Sequence, residues 1–212
     1  MTTLEKLDLR KELKHLYNPP SRQVVEVDVP AMNFLLIDGK GDPNTALEYK
    51  EAVEALYSLS YTLKFASRKA LGIDYTIMPL EGLWWMEDMG QRYGDIDFTA
   101  DKSLWLWTML IMQPDGITPE MVEAARDDLR RKKAPPALDR VRFERFHEGL
   151  AAQVMHLGPY SAEKPTIDRI HAYVAEHGEL TGKHHEIYLG DPRRSQPEKL
   201  RTIIRQPMLK RG

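Results

Sequence analysis

Lys183-His184-His185-Glu186-Ile187-Tyr188-Leu189-Gly190-Asp191-Pro192-Arg193-Arg194, followed by Leu200-Arg201-Thr202-Ile203-Ile204-Arg205-Gln206-Pro207, is the stretch whose reading decides the fold. Its first half alternates as a strand does, so Glu186 and Tyr188 share one face while Ile187 and Leu189 share the other. A carboxylate inside a sheet needs a reason, because burying one unpaired costs several kcal/mol or forces it to take up a proton. On this segment alone a solvated sheet face explains Glu186 equally well. The rest of the chain separates the two readings, because it contains the same arrangement a second time.

Trp107-Thr108-Met109-Leu110-Ile111-Met112-Gln113-Pro114 is, like residues 200–207, an apolar strand closed by Gln-Pro. Each lies at the end of a similar series. In the first, an extended run over residues 24–38 meets the turn Gly39-Lys40-Gly41-Asp42-Pro43. A helix follows, with Asp42 as N-cap, Pro43 at the first helical position, and Tyr49, Val53, Leu56, Ser60 and Leu63 at helical spacing. Gly72 stops it, and strands over 75–80 and up to Gln113 complete the unit. In the second, extended residues 141–146 and 151–157 lead to Gly158-Pro159-Tyr160-Ser161, with Ser161 as N-cap. Its helix carries Ile167, Ile170, Tyr173 and Val174, Gly178 stops it, and strands over 184–189 and 200–206 follow. The chain therefore predicts an α+β fold, βαββ twice, as one body with a pseudo-twofold axis. Residues 1–20 are a polar lead-in to a single domain over 21–212. Its halves run over about 24–114 and 141–208, joined by a helix over 118–133 with a Thr-Pro start and a basic end suited to the helix dipole.

Composition excludes several classes of function. The 212 residues carry 30 Lys and Arg against 32 Asp and Glu, interspersed, so nucleic-acid binding through charge is not expected. There is no cysteine, which removes disulfides and thiolate chemistry. No apolar run spans a bilayer and no signal segment appears, so the expectation is a cytoplasmic protein without membrane contact. His184-His185-Glu186 is not read as a metal site, since neighbours on a strand point to opposite faces. Gly39-Lys40-Gly41-Asp42 lacks the spacing of a phosphate loop.

Aromatic residues point instead to an apolar ligand. The chain has four Trp and nine Tyr, and all four Trp fall between residues 84 and 107. Trp105 and Trp107 share a strand face, while Trp84 and Trp85 open a segment, 83–103, that the second half lacks. With Glu87 and Asp88, that segment reads as a lid or one wall of a pocket.

The sequence resembles the GyrI-like small-molecule-binding family. The resemblance rests on Gln153-Val154-Met155-His156-Leu157-Gly158-Pro159-Tyr160 and on residues 184–194, supported by Asp38-Gly39-Lys40-Gly41-Asp42-Pro43 and Met78-Pro79-Leu80-Glu81-Gly82-Leu83-Trp84-Trp85. It covers roughly residues 20–208. It implies two SHS2-type βαββ modules, antiparallel sheets side by side, with helices on one face and a ligand groove on the other. Related domains sense drugs when fused to DNA-binding regions; a stand-alone chain of this type resembles the cyclopropanoid hydrolases. Those enzymes open the strained ring of DNA-alkylating natural products related to yatakemycin and the duocarmycins, a detoxification. Other members only bind ligand, or antagonise gyrase by protein contact. By this resemblance Glu186 is the central groove carboxylate and the catalytic base. Its pseudo-symmetric counterpart falls near Ile77. Tyr188 or Tyr160 is the hydroxyl that serves the substrate, and Trp84, Trp85 and Trp107 line the groove. The implied partner is an aromatic or cationic small molecule bound by a monomer or homodimer, with no cofactor. The alternative is a non-catalytic protein that binds and sequesters drugs, or a gyrase or toxin antagonist acting by protein contact.

Overall fold

The computed structural model describes residues 4–86 and 101–211. The lid expected over 83–103 falls largely outside them, including Glu87 and Asp88; within it, residues 83–86 belong to a strand and Lys102–Leu104 form a 3-10 turn. In chain order the elements are β1 (Glu5–Leu7), α1 (Leu9–Glu12), α2 (Lys14–Tyr17), β2 (Val25–Val29), β3 (Met32–Lys40), α3 (Leu47–Ala70), β4 (Ile73–Tyr75), β5 (Leu80–Met86) and β6 (Trp105–Gln113). They continue with α4 (Pro119–Lys132), β7 (Arg142–Phe146), β8 (Gly149–Leu157), α5 (Lys164–His177), β9 (Gly178–Leu180), β10 (His184–Tyr188) and β11 (Arg201–Lys210). The class is α+β, with a strongly curled antiparallel sheet. No helix among the described residues is long and apolar enough to cross a membrane.

The helices form where apolar spacing and end signals agree. On α3, Ala52, Leu56, Leu59 and Leu63 are fully buried and make one stripe against the sheet. On α4, Thr118 caps the start by accepting the Met121 N–H at 3.3 Å, with Pro119 in the first turn. Two starts differ from expectation. Asp42 does not cap α3: its side chain accepts the Asn44 N–H at 2.9 Å and its carbonyl accepts from Thr45 and Ala46, a local turn that delays the helix to Leu47. Ser161 lies in a 3-10 turn, Tyr160–Ala162, and α5 starts after Glu163.

The sheet order is β2-β8-β11-β10-β5-β6-β3-β7, and it reads alike from either end when the halves are exchanged. The first strand of each half is lent to the other: β2 pairs with β8, and β7 pairs with β3. Neither half closes its sheet alone. The repeated Gln-Pro is a packing device, since Gln113 and Gln206 are both fully buried with their amides donating, to Ser60 and to Thr181 respectively. At the centre β5 pairs with β10, Gly82 opposite Glu186 and Glu81 opposite Ile187. Combined with the neighbouring registers, this makes Leu80 the counterpart of Glu186. Ile77 does not hold that place, because β5 starts later than the pattern indicates.

Register also fixes which face is which. Ile204, across from Glu186, packs with Ile167, Ile170 and Val174 of α5. Met109, across from Gly82, shares its face with Gln113, which touches α3 through Ser60. Glu186 thus lies on the helix-bearing face, in the cleft between α3 and α5, whereas the resemblance puts the groove on the other side. That other face carries the N-terminal segment, with Leu16 and Tyr17 buried against it.

Candidate ligand site and a buried carboxyl pair

Glu186 sits at the middle of the sheet and is 8% exposed. His184, two residues earlier on the same face, places its Nε2 3.1 Å from one carboxyl oxygen. The Tyr188 hydroxyl donates to the other at 2.7 Å and in turn accepts the Trp84 indole N–H at 3.0 Å. Tyr188 is therefore committed to orienting Glu186. The carboxyl of Glu163, from the start of α5, lies against that of Glu186, beside Thr202.

Two adjacent buried carboxyls cannot both ionise. Burial, and next the charge on Glu186, push Glu163 up to about 9, so it carries the proton at neutral pH. Burial also pushes Glu186 upward, but the hydrogen bonds and charge of His184, with Tyr188 and Glu163, outweigh it and hold Glu186 below the usual range. Glu186 is thus the ionised member of a buried carboxyl pair whose other member is Glu163. The sequence gives no sign of Glu163, since an acid at a helix start is ordinary.

Aromatic rings surround the pair. Tyr49 of α3 stacks near Trp84, with ring centres 6.2 Å apart, and meets Trp107 edge-on at 5.3 Å. Trp105 meets Trp84 at 5.7 Å, and Tyr160 meets Tyr188 at 5.6 Å. Trp107 is fully buried and leans on Gly39, where a Cβ would come within 2.1 Å of the indole. It forms the floor behind Tyr49. Burial, reinforced by the charge on Glu186, keeps the Tyr49 hydroxyl protonated, and Tyr160 is pushed up to about 12, chiefly by burial. Of the residues singled out from sequence, Glu186, Tyr188, Trp84, Trp107 and Tyr160 come together. Trp85 does not: it points to the opposite face, where the Lys183 ammonium sits 3.2 Å from its ring centre. Tyr49 has the helical spacing of a core residue, and only the fold brings it here.

Behind the site, on the opposite face, lies a second buried set. His185 presents its two ring nitrogens to Glu148 at 2.8 Å and Glu81 at 3.0 Å, so it must donate twice and is an imidazolium. Burial lowers its affinity for the proton, but the two carboxylates prevail and raise it to about 9. Arg205 donates to Glu148 at 2.9 Å and to the Leu16 carbonyl, and the Tyr17 hydroxyl donates to Glu81 at 2.8 Å. Two cations thus face two carboxylates, and the N-terminal helices close the set.

A curled antiparallel sheet with a carboxyl and aromatic cleft between two helices defines a small-molecule-binding protein. The chain belongs to the GyrI-like family: its sequence matches the GyrI-like small molecule binding domain over residues 22–207. Among solved structures, an uncharacterized conserved protein from Listeria innocua is 40% identical, with a TM-score of 0.85, over 96% of this chain and all of that one. A hydrolase from Listeria innocua is also 40% identical, with a TM-score of 0.84, over 97% of this chain and all of that one. The C-terminal domain of EcmrR shares the fold at 12% identity and a TM-score of 0.54, over 89% of this chain and 98% of that domain. No curated protein matches the sequence.

Proposed function

We propose that the cleft binds a flat, largely apolar molecule and hydrolyses it, the substrate being the cyclopropane ring of a DNA-alkylating natural product. The observation that carries this reading is Glu186, buried at the centre of the sheet with its carboxyl held by His184 and Tyr188 inside a wall of aromatic rings, and with the Glu163 carboxyl beside it. The similarity to a hydrolase at 40% identity supports it. In such substrates the ring is conjugated to a dienone. Glu186 takes a proton from water as its oxygen bonds to the ring methylene. The methylene's bond to the dienone carbon breaks, and its electrons pass to the carbonyl oxygen as the ring becomes aromatic. Tyr160 donates a hydrogen bond to that oxygen as charge develops. The phenolate takes a proton from solvent, and the pair releases one in return. The sum is the addition of one water. Trp84 and Tyr49 stack on the planar guest, and such orientation supplies several kcal/mol of the barrier.

Reaction of a duocarmycin-type cyclopropane in 18O-labelled water tests this. The expected product contains a single 18O on the former ring methylene. Tight binding with unchanged ligand supports instead a sequestering protein, the reading that the family's binding-domain description favours. Glu186 would then serve as the charge partner of a cationic aromatic guest.

A further inference from the structure

The side of α3 turned away from the sheet carries a second row of residues. Glu51, Glu54, Ser58, Tyr61, Phe65 and Arg68 follow one another at alternating steps of three and four, the spacing that keeps a seam on one side of a helix. Leu47 stands one step before Glu51 on the same side. The seam is open: Tyr61 is 50% exposed, Phe65 61% and Leu47 66%. Single exposed apolar side chains are ordinary, but neighbouring rings on one seam make a patch that a partner can cover. Charge is distributed unevenly along it, with carboxylates in the first half and a guanidinium at the end. The opposite side of the same helix is fixed by its buried stripe and by Tyr49 against Trp84, so the seam is presented on a rigid element.

We propose that this seam binds a second copy of the chain, two α3 helices packing antiparallel about a twofold axis that passes between Ser58 and Tyr61. In that register Ser58 faces the partner's Tyr61, Glu54 faces the partner's Phe65, and Glu51 faces the partner's Arg68. Size complements size, because a small serine leaves the hole that the opposing tyrosine ring fills, once on each side of the axis. Glu54 is tied sideways to Lys133 of α4 at 2.7 Å, which leaves its methylenes to the partner's Phe65. Charge fixes the orientation. An antiparallel pair sets Glu51 against the partner's Arg68 at both ends, whereas a parallel pair would set glutamate against glutamate and arginine against arginine. The two helix dipoles also oppose each other only in the antiparallel arrangement. The occupant is a second copy because the seam complements itself end for end. Two helices of this length bury on the order of 1,000 Å² in all, the low end for a specific interface, so the dimer is weak and depends on concentration. This interface is independent of the chemistry assigned to the cleft.

Sedimentation velocity of the full chain at low salt tests this, with Glu51→Arg and Arg68→Glu measured singly and as an equal mixture. Wild type is expected to move from monomer toward dimer as its concentration rises to about 500 µM. Each single variant sets like charges together at both ends of the interface and should self-associate about 10-fold or more weakly. In the mixture a heterodimer regains an opposite-charge pair at both ends, so it should associate about as tightly as wild type. Both positions face away from the sheet, and melting curves of the two variants confirm that they are folded. Wild type that stays monomeric throughout overturns the interface. So does a dimer that neither variant weakens, or a mixture that associates no better than its components.

Discussion

Replacing Glu163 by Gln should stabilise the protein, and more so as pH rises. Folded, Glu163 holds its proton up to about 9, while an ordinary glutamate releases it near 4.5. Its folded pKa is raised, so between those values the folded state binds more protons than the unfolded one. The group's contribution to stability therefore falls as pH climbs from about 4.5 to about 9. At pH 7 the accumulated penalty is about 3 kcal/mol, at 1.36 kcal/mol per pH unit. Gln keeps the shape, can donate to Glu186 from its amide, and has no proton to lose. For a chain of this size 1 kcal/mol moves Tm by about 2–4 °C. The variant should thus melt about 6–12 °C above wild type at pH 7, with the gap narrowed to about 2–3 °C at pH 5. Scanning calorimetry of both proteins from pH 5 to 9 measures this, and comparing the two curves cancels the titrating groups that lie away from the Glu163–Glu186 pair. A gap that stays constant with pH would show that Glu163 does not hold the proton and would refute the shared-proton pair.

Tyr188→Phe removes a 2.7 Å donor from Glu186 and leaves the Trp84 indole N–H without its acceptor. A loss of about 1–3 kcal/mol by urea denaturation is expected, together with an upward move of the acid limb of the pH–rate profile. Glu148 is held down to about 2, because His185 and Arg205 outweigh its burial, so its contribution is present above about 4.5 and is lost as pH falls toward about 2. Glu148→Gln, which leaves two buried cations short of a carboxylate, should cost about 3–5 kcal/mol in a denaturant melt at pH 7. Trp84→Ala and Trp85→Ala should differ sharply in ligand titrations, the first weakening binding and the second leaving it within about twofold.

Much of this fold is legible in the chain because its decisive signals are periodic. Alternation around Glu186 and the twin Gln-Pro strand ends fix the strands and their pairing into halves, and Thr118-Pro119 marks a helix start that the structure keeps. What the sequence hides depends on contacts between distant segments. Glu163 and Glu186 become a pair only when the start of α5 is laid over β10. Tyr17 meets Glu81 only because the N-terminal helices fold back across the sheet. The opposite fates of Trp84 and Trp85 are implicit in strand alternation once both are placed in β5. The expected lid, which treats residue 83 as the start of an insertion, conceals it. The exchange of β2 and β7 between halves leaves no local trace at all, since either partner offers the same backbone hydrogen bonds.

The most direct test sets wild type beside Glu186→Gln with one duocarmycin-type cyclopropane, measuring affinity by tryptophan fluorescence and conversion by mass spectrometry in the same samples. The predicted result is affinity within a few-fold of wild type and a gain of one water slowed by about 100-fold or more. Conversion by the variant at the wild-type rate would contradict the assignment of Glu186 as the base, and loss of its binding would show a carboxylate that holds the ligand instead of activating water.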